Sequence, residues 1–234
     1  MVLVITFTQS SSKSSSDLED KLSGGVKLPM KDLYYGFTHN SLILPFPSAT
    51  LPVSELLQQK WVKDLQQILL NFPQKSAPVF TVTCNYNYRD VLLNWLIAAK
   101  TQIDPPLTHV IVFSLDKDLW DLLANQGILC VFVNPKSFIK RRLLLEGVEV
   151  FYQILILRIT AIRLINLWGY DAANVDTDAV VLRNPEALFS SSKYKDSDMI
   201  ASSGKFPFYL KAKWGVTLCG GFFLIKSSAA SGIL

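Results

Sequence analysis

Cysteine and histidine are scarce in this chain of 234 residues, and each scarcity excludes a class of protein. The three cysteines, Cys84, Cys130 and Cys219, stand apart in apolar stretches. They are too few and too scattered for a disulfide framework or a zinc site, and they are interpreted as small buried hydrophobes. The two histidines, His39 and His109, have no serine or cysteine nucleophile motif near them, so no hydrolase triad is indicated.

Charge and long apolar runs are also limited. Charged residues make up 18% of the chain and the formal net charge is +4, short of the basic footprint of a nucleic-acid-binding protein, so no nucleic-acid partner is predicted. The N-terminal MVLVITF is too short to span a bilayer and lacks the basic start of a signal peptide. The apolar block Val148–Trp168 contains Arg158 and Arg163, which favours a buried helix, and we expect no membrane anchor within this chain.

Hydrophobic residues make up 50% of the sequence, enough for a sizeable core in one α/β domain. Residues 1–27, rich in serine, are predicted to be a flexible segment. Residues 28–77 are predicted to be an irregular and helical extension, with a helix over Ser54–Asn71 that Ser54 could cap. The main domain is predicted over residues 78–234.

Strands and helices alternate along the main domain. Strands are predicted at Pro78–Cys84, His109–Leu115 and Ile128–Val133, and helices at Tyr88–Thr101 and Leu119–Asn125. This order predicts a Rossmann-like, mostly parallel sheet with helices on both faces, and ligands at the carboxyl ends of its strands.

A second group of elements completes the domain. A long helix should end near Gly169, and strands should follow at Tyr170–Val175, Asp198–Ser202 and Gly215–Lys226. The last strand is expected to be interrupted at Gly220 and Gly221, where missing side chains would let a ligand or another backbone approach closely.

The run GYDAANVDTDAVVLRNP, from Gly169 to Pro185, carries two carboxylates where an apolar strand runs out. In an extended segment alternate residues point to the same side, so Asp176 and Asp178 could both face one metal ion or one phosphate-bearing ligand. Carboxylate oxygens suit Mg²⁺ or Mn²⁺. An isolated Asp-x-Asp is commonly a turn or a helix cap, but its position after a series of βαβ units favours a functional site.

The order of several motifs resembles the nucleotide-diphospho-sugar transferase family, which includes plant cell-wall xylosyl- and arabinosyltransferases. These motifs are NWLIAAK, VIVFSLD, a basic segment, a long helix, GYDAANVDTDAVVLRNP and WGVTLCGGFFLIKS. The resemblance covers residues 78–227, and its most specific part is the aspartate pair followed by Arg-Asn-Pro. It implies a GT-A fold and an enzyme that transfers a sugar from a UDP- or GDP-linked donor to a glycan or glycoprotein acceptor.

The resemblance also implies roles for individual residues. Asp176 and Asp178 would hold a divalent metal, usually Mn²⁺ with Mg²⁺ possible, that bridges the diphosphate of the donor. The residues that it assigns to nucleotide-sugar binding are Asn85, Asp116, Arg158, Asp176, Asp178, Gly220 and Gly221. The basic segment Lys140–Arg142 could also meet the diphosphate, although a solvated face is the commoner role of such a cluster. Asn85 also fits a turn, and Asp116 also fits the cap of the following helix.

Alternatives remain open at this stage. Family members continue well beyond the segment that matches Cys219–Phe222, so the chain resembles a catalytic domain truncated at its C-terminus, and a catalytically inactive nucleotide-sugar-binding fragment is one alternative. VDTDAVV also matches haloacid-dehalogenase-like phosphatases, with Asp176 as nucleophile and Asp178 as general acid/base. Its place after three strands counts against that second alternative.

Family members are mostly Golgi residents, so the resemblance implies the secretory pathway.

Overall fold

A computed structural model of the chain describes residues 2–5, 50–72, 77–139, 150–179, 181–204 and 218–229. The described residues form seven strands in one sheet: β1 (Val2–Ile5), β2 (Val79–Cys84), β3 (Val110–Ser114), β4 (Cys130–Phe132), β5 (Ala172–Val175), β6 (Met199–Ser203) and β7 (Leu218–Ile225). The α-helices among them are α1 (Val53–Leu56), α2 (Lys60–Leu70), α3 (Arg89–Thr101), α4 (Lys117–Asn125), α5 (Val150–Leu167) and α6 (Glu186–Phe189).

The strand order across the sheet is β1-β6-β7-β5-β2-β3-β4. Strands β5, β2, β3 and β4 are parallel neighbours, whereas β7 runs antiparallel between β5 and β6, and β1 lies antiparallel along β6. Five of the seven strands therefore point the same way, which confirms the predicted mostly parallel α/β sheet. The carboxyl ends of the parallel strands meet at one edge, where ligands gather in folds of this class.

Helices cover both faces of the sheet, as predicted. On one face, Leu65 of α2 and Leu157 of α5 pack with Val79 and Ile111 of the strands in one apolar cluster. On the other face, α3, α4 and α6 contribute to a second cluster around Phe80. Every residue of β2 is buried, because a central parallel strand covered by helices on both sides has no solvent face.

Helix α5 carries a positively charged side chain, Arg158, at the ligand edge of the sheet. It is long and apolar enough to cross a membrane by length and composition, but it packs against β2 and β5, and its central residues, among them Ile156 and Ala161, belong to the core. The helix ends before Gly169, as predicted. Gly169 has a φ of +81°, a conformation that favours glycine. Arg158 lies near the middle of this helix.

Three local expectations differ from the structure. The helix predicted over Ser54–Asn71 is split into α1 and α2, and α1 begins after Pro52 with no cap from Ser54. Strand β7 continues through Gly220 and Gly221, although its pairing with β6 shifts register between Phe223 and Leu218. Residues 2–5 of the segment expected to be flexible form β1. The boundaries at residues 27 and 77 stay predictions.

Candidate functional site

Three predicted site residues follow neighbouring strands at the carboxyl edge of the sheet. Asn85 follows β2, Asp116 lies two residues after β3, and Asp176 follows β5 directly. Strand β2 pairs in parallel with both β3 and β5, so these three chain segments emerge side by side. Burial raises the pKa of the Cys84 thiol at the end of β2, and the nearby charges of Asp116 and Arg158 act on it in opposite directions.

The aspartate pair lies in a turn and not in an extended segment. Strand β5 ends at Val175, and the N–H of Ala179 donates to the Asp176 carbonyl (3.0 Å). The indole N–H of Trp95 in α3 donates to the Ala179 carbonyl (3.0 Å) and holds the turn against that helix. The expectation that Asp176 and Asp178 point to the same side because they lie in an extended segment is therefore wrong, since the strand ends before the first aspartate.

The two carboxylates have different surroundings. Asp176 is half-buried, whereas Asp178 is exposed and lines a groove of about 440 Å³ beside α3. Burial raises the pKa of Asp176 above its usual range, and the negative charge of Asp178 adds to that rise. The two groups are thus close enough to repel each other, and one cation near both would relieve that repulsion.

Arg158 forms an ion pair with Asp176. Its Nη2 lies 2.5 Å from the Asp176 Oδ1, and the side chains are only 14% and 28% exposed. The guanidinium lowers the pKa of Asp176, but by less than burial raises it. The Arg158 Nε is buried without a hydrogen-bond partner among the described residues, so this cation retains a free donor next to the carboxylate.

Only one of the two predicted glycines needs to lack a side chain. A Cβ built on Gly221 would lie 2.9 Å from the Asp176 Oδ2, whereas a Cβ on Gly220 would meet nothing within 4 Å. The Asp176 N–H also donates to the Gly221 carbonyl (2.8 Å). The close approach at Gly221 is therefore made by the Asp176 carboxylate, and the glycine leaves room for it.

Asp116 connects the first two strand-end loops. It occupies the N-cap position of α4, but its side chain makes no capping bond. Its Oδ2 instead accepts the N–H of Tyr86 from the loop after β2 (2.6 Å). The buried Ser114 hydroxyl accepts the Asp116 N–H (3.1 Å) and donates to its carbonyl (2.7 Å). The predicted helix-cap role is thus replaced by a link between loops.

Asn85 begins the short 3₁₀ turn Tyr86–Tyr88 and makes no capping bond with its side chain. Its Oδ1 is buried and has no hydrogen-bond partner among the described residues. Tyr86 and Tyr88 of the same turn are 39% and 58% exposed. This loop therefore contains one buried acceptor without a partner among the described residues and exposes two aromatic rings at the ligand edge.

The Arg-Asn-Pro segment after the aspartates has a structural role. The Asn184 Nδ2 donates to the Pro105 carbonyl (3.0 Å), and its Oδ1 accepts the N–H of Glu186 at the start of α6 (2.8 Å). This side chain therefore joins the loop after α3 to α6. The predicted basic segment Lys140–Arg142 lies outside the described residues.

Two polar residues of this edge escaped the sequence analysis. Ser114 and Asn174 are both fully buried, in β3 and β5 respectively, and both hold backbone groups of the site. Their signal in the sequence is a single polar residue inside an apolar strand, but a buried serine or asparagine is equally compatible with a purely structural bond.

The residues present fit a divalent cation that shares its ligands with a phosphate. Among the described residues no cluster of three or more His, Cys, Asp or Glu side chains could hold a metal alone. Mg²⁺ and similar ions are commonly bound by one or two carboxylates, with water and substrate phosphates completing the shell. Asp176 and the more exposed Asp178 lie in one turn at the carboxyl edge of β5, so this pair of carboxylates suits that arrangement.

The sequence of the chain matches one family model. This model describes the nucleotide-diphospho-sugar transferases, and the match covers residues 106–233, more than half of the chain. The matched part includes β3, α5, the aspartate turn and β7. No curated protein sequence matches the chain significantly.

Solved glycosyltransferase structures show a distant likeness. The galactosyltransferase LgtC, in complex with donor and acceptor sugar analogues, is 16% identical with a TM-score of 0.39, and the match covers 63% of this chain and 57% of LgtC. An active-site mutant of LgtC is 14% identical with a TM-score of 0.37, over 64% of this chain and 57% of that one. The bifunctional glycosyltransferase WbbM, an apo structure, is 14% identical with a TM-score of 0.42, over 70% of this chain and 34% of WbbM. The chain therefore spans less than two thirds of these proteins.

Proposed function

The chain belongs to the nucleotide-diphospho-sugar transferase family, and from that premise we propose that it transfers a sugar from a nucleotide-diphosphate donor to an acceptor hydroxyl with the help of a divalent cation at Asp176 and Asp178. The observation that carries the proposal is the aspartate turn at the carboxyl edge of β5, enclosed by Arg158 and Gly221. Family membership supports sugar transfer in general terms, and the roles of individual residues are proposed from the geometry.

Charge explains why the reaction needs this arrangement. When the bond between sugar and phosphate breaks, the departing nucleoside diphosphate gains negative charge, and positive groups fixed beforehand near its oxygens stabilise that charge. A bound divalent cation, Mn²⁺ or Mg²⁺, supplies Lewis-acid stabilisation of those oxygens. Asp176 and Asp178 would hold it, with Asp178 the more accessible of the two.

Arg158 is proposed to be the second positive group. In the structure it neutralises Asp176, and its Nε has no hydrogen-bond partner among the described residues. A guanidinium binds phosphate oxygens through several donors in a fixed plane. Because one helix carries Arg158 to the same edge as the aspartate turn, it can orient the diphosphate without any movement of the sheet.

The loops after β2 and β3 are proposed to receive the nucleoside. Asp116 holds the loop of Asn85 through the Tyr86 N–H, so the two loops form one fixed surface. Asn85 is proposed to contact a base or a ribose hydroxyl, for which its buried Oδ1 has to become accessible. The exposed ring of Tyr86 is flanked by the Arg89 guanidinium 4.6 Å from its centroid, which fixes a flat surface for a base.

Neither alternative from the sequence is favoured by an observation. A phosphatase of that class would use Asp176 as its nucleophile on the opening strand of its domain, whereas Asp176 follows β5. An inactive fragment would retain donor binding without turnover, so activity and binding have to be measured separately. A Golgi location is proposed from the resemblance alone.

A thermal-shift titration tests the proposal. The purified chain is melted with UDP, GDP and their sugars, in Mn²⁺ or in chelator, beside the double variant Asp176→Ala/Asp178→Ala. A ligand at about 100 times its dissociation constant stabilises the native state by about 2.7 kcal/mol. We expect Mn²⁺-dependent stabilisation by one nucleotide and its loss in the double variant.

A matched control removes two other aspartates. Asp64 and Asp121 each pair with an exposed lysine on the surface, so Asp64→Ala/Asp121→Ala removes the same charge without touching the strand edge. It should retain the stabilisation. A cooperative melt that no nucleotide shifts in either metal condition would refute the donor site, and binding without sugar transfer to any acceptor tested would support the inactive alternative.

A further inference from the structure

Asn174 occupies a position in the sheet where an apolar residue is expected. It is fully buried in β5, between alanine and valine neighbours. Asparagine is disfavoured in strands, and burial of its amide is costly unless both ends find hydrogen-bond partners. The Asn174 Oδ1 has no partner among the described residues. A purely structural role would be filled at least as well by a valine.

Within the described part of the chain, the Asn174 side chain makes one hydrogen bond, to the neighbouring strand. Its Nδ2 donates to the Gly220 carbonyl of β7 (2.9 Å). Gly220 is exposed, so water could satisfy that carbonyl and the bond adds little net stability. The bond instead fixes the position of the Gly220 backbone relative to β5.

Gly220 is followed by the residue that confines Asp176. The Gly221 carbonyl accepts the Asp176 N–H (2.8 Å), and a Cβ on Gly221 would lie 2.9 Å from the Asp176 Oδ2. Gly221 thus forms one wall of the space around this carboxylate, while Arg158 contacts its Oδ1 from the other side. A shift of the β7 backbone at this point would change the space available to the Oδ2.

We propose that Asn174 is a positioning residue, which fixes Gly220 and Gly221 against Asp176 and thereby sets the carboxylate geometry that divalent-cation binding requires. This inference rests on the proposed function. Side chains that orient metal ligands from behind typically change metal affinity 10- to 100-fold when they are mutated. The same range is expected here, although Asn174 itself touches neither cation nor donor.

The experiment compares two substitutions at this position with a matched control. Asn174→Leu keeps the branched shape and the number of side-chain heavy atoms without the amide, and Asn174→Ser is a smaller change whose hydroxyl is too short to span the same gap. The control is Thr81→Val, because Thr81 is the register neighbour of Asn174 and its buried hydroxyl also donates across the sheet, but to the Ala173 carbonyl (3.0 Å) of β5 and not to β7. Mn²⁺ binding is measured from the electron paramagnetic resonance signal of free Mn²⁺, with and without UDP, and UDP binding is measured separately in chelator.

Both Asn174 variants should bind Mn²⁺ 10- to 100-fold more weakly, with UDP binding in chelator unchanged. Thr81→Val should lose comparable thermal stability but retain wild-type Mn²⁺ affinity. Wild-type affinity in a folded Asn174→Ser protein would overturn the inference and leave the proposed function standing, and so would an equal loss in Thr81→Val. If the wild-type chain binds no Mn²⁺ with or without UDP, the proposed function fails and the inference fails with it.

Discussion

Replacement of Gly221 by alanine is the sharpest test of how Asp176 is held. The added Cβ would lie 2.9 Å from the Asp176 Oδ2, whereas ordinary contact begins at 3.4 Å. The carboxylate must therefore move by about 0.5 Å, on the difference between these two distances. Its Oδ1 is also bound to Arg158 at 2.5 Å, so the movement disturbs the ion pair.

The expected magnitudes follow from that displacement. Overpacking of a filled site typically costs about 1–3 kcal/mol, and the loss of glycine flexibility in the unfolded chain returns about 0.4–1 kcal/mol. We expect Gly221→Ala to lower the free energy of unfolding by about 1–2 kcal/mol on these two figures. A misplacement of about 1 Å can cost about 100-fold in function, so a displacement half as large should weaken Mn²⁺-dependent nucleotide binding roughly 10-fold.

Gly220→Ala is the control next to it in the chain. A Cβ there meets nothing within 4 Å, so the same chemical change should be neutral or stabilise the protein by up to about 1 kcal/mol. Urea unfolding measures stability, and calorimetric titration of Mn²⁺ with UDP measures binding. Equal behaviour of the two alanine variants in both assays would refute the reasoning, because only one of them crowds the carboxylate.

Three further predictions concern charge and burial. Arg158→Met should lower the free energy of unfolding by about 1–3 kcal/mol, between the values for exposed and buried ion pairs, and unchanged urea unfolding would contradict the ion pair. Because burial raises the pKa of Asp176 above the ordinary 3.8, the native state holds that proton more tightly than the unfolded state, and stability is lost as pH rises from 3.8 through the native pKa. Urea unfolding across this range should show more stability lost in the wild type than in Asp176→Asn. Burial also raises the pKa of the Cys84 thiol to about 11, so alkylation near neutral pH should modify the exposed Cys219 before Cys84. Mass spectrometry of the labelled peptides measures the order, and modification of Cys84 first would contradict the prediction.

The alternation of strands and helices could be predicted because each element carries its own period. The apolar runs of β2 and β3 and the spacing of α3 appear in the sequence without knowledge of their neighbours. Glycine after a helix is an equally local signal, and both Gly127 and Gly169 adopt a positive φ at helix ends. These local patterns also placed Asp176 at the ligand edge.

The details of the candidate site depend on contacts between distant parts of the chain. The Asp116 carboxylate binds a backbone N–H from another loop instead of capping its own helix, and nothing near it in sequence indicates that choice. Gly221 was expected to admit a ligand or a backbone, but its neighbour is a side chain about 45 residues away. Such pairings are set by the register of β5 and β7, which local propensity does not determine.

In the empty form of the proposed site, Arg158 and Asp176 neutralise each other. In the loaded form, a cation and a diphosphate would neutralise the same two side chains. A half-buried carboxylate with a raised pKa is costly to leave unpaired, and in the structure the guanidinium supplies the compensating charge. A divalent cation that binds Asp176 and Asp178 would take over that compensation and also relieve the repulsion between the two carboxylates. Arg158 would then be free for an anionic partner, and a diphosphate bound to the same cation is the anion nearest to it. A cation bound alone would leave the largely buried Arg158 without its partner, whereas the cation and the diphosphate bound together would leave both Asp176 and Arg158 paired. We therefore expect the cation and the nucleoside diphosphate to bind more tightly together than either does alone.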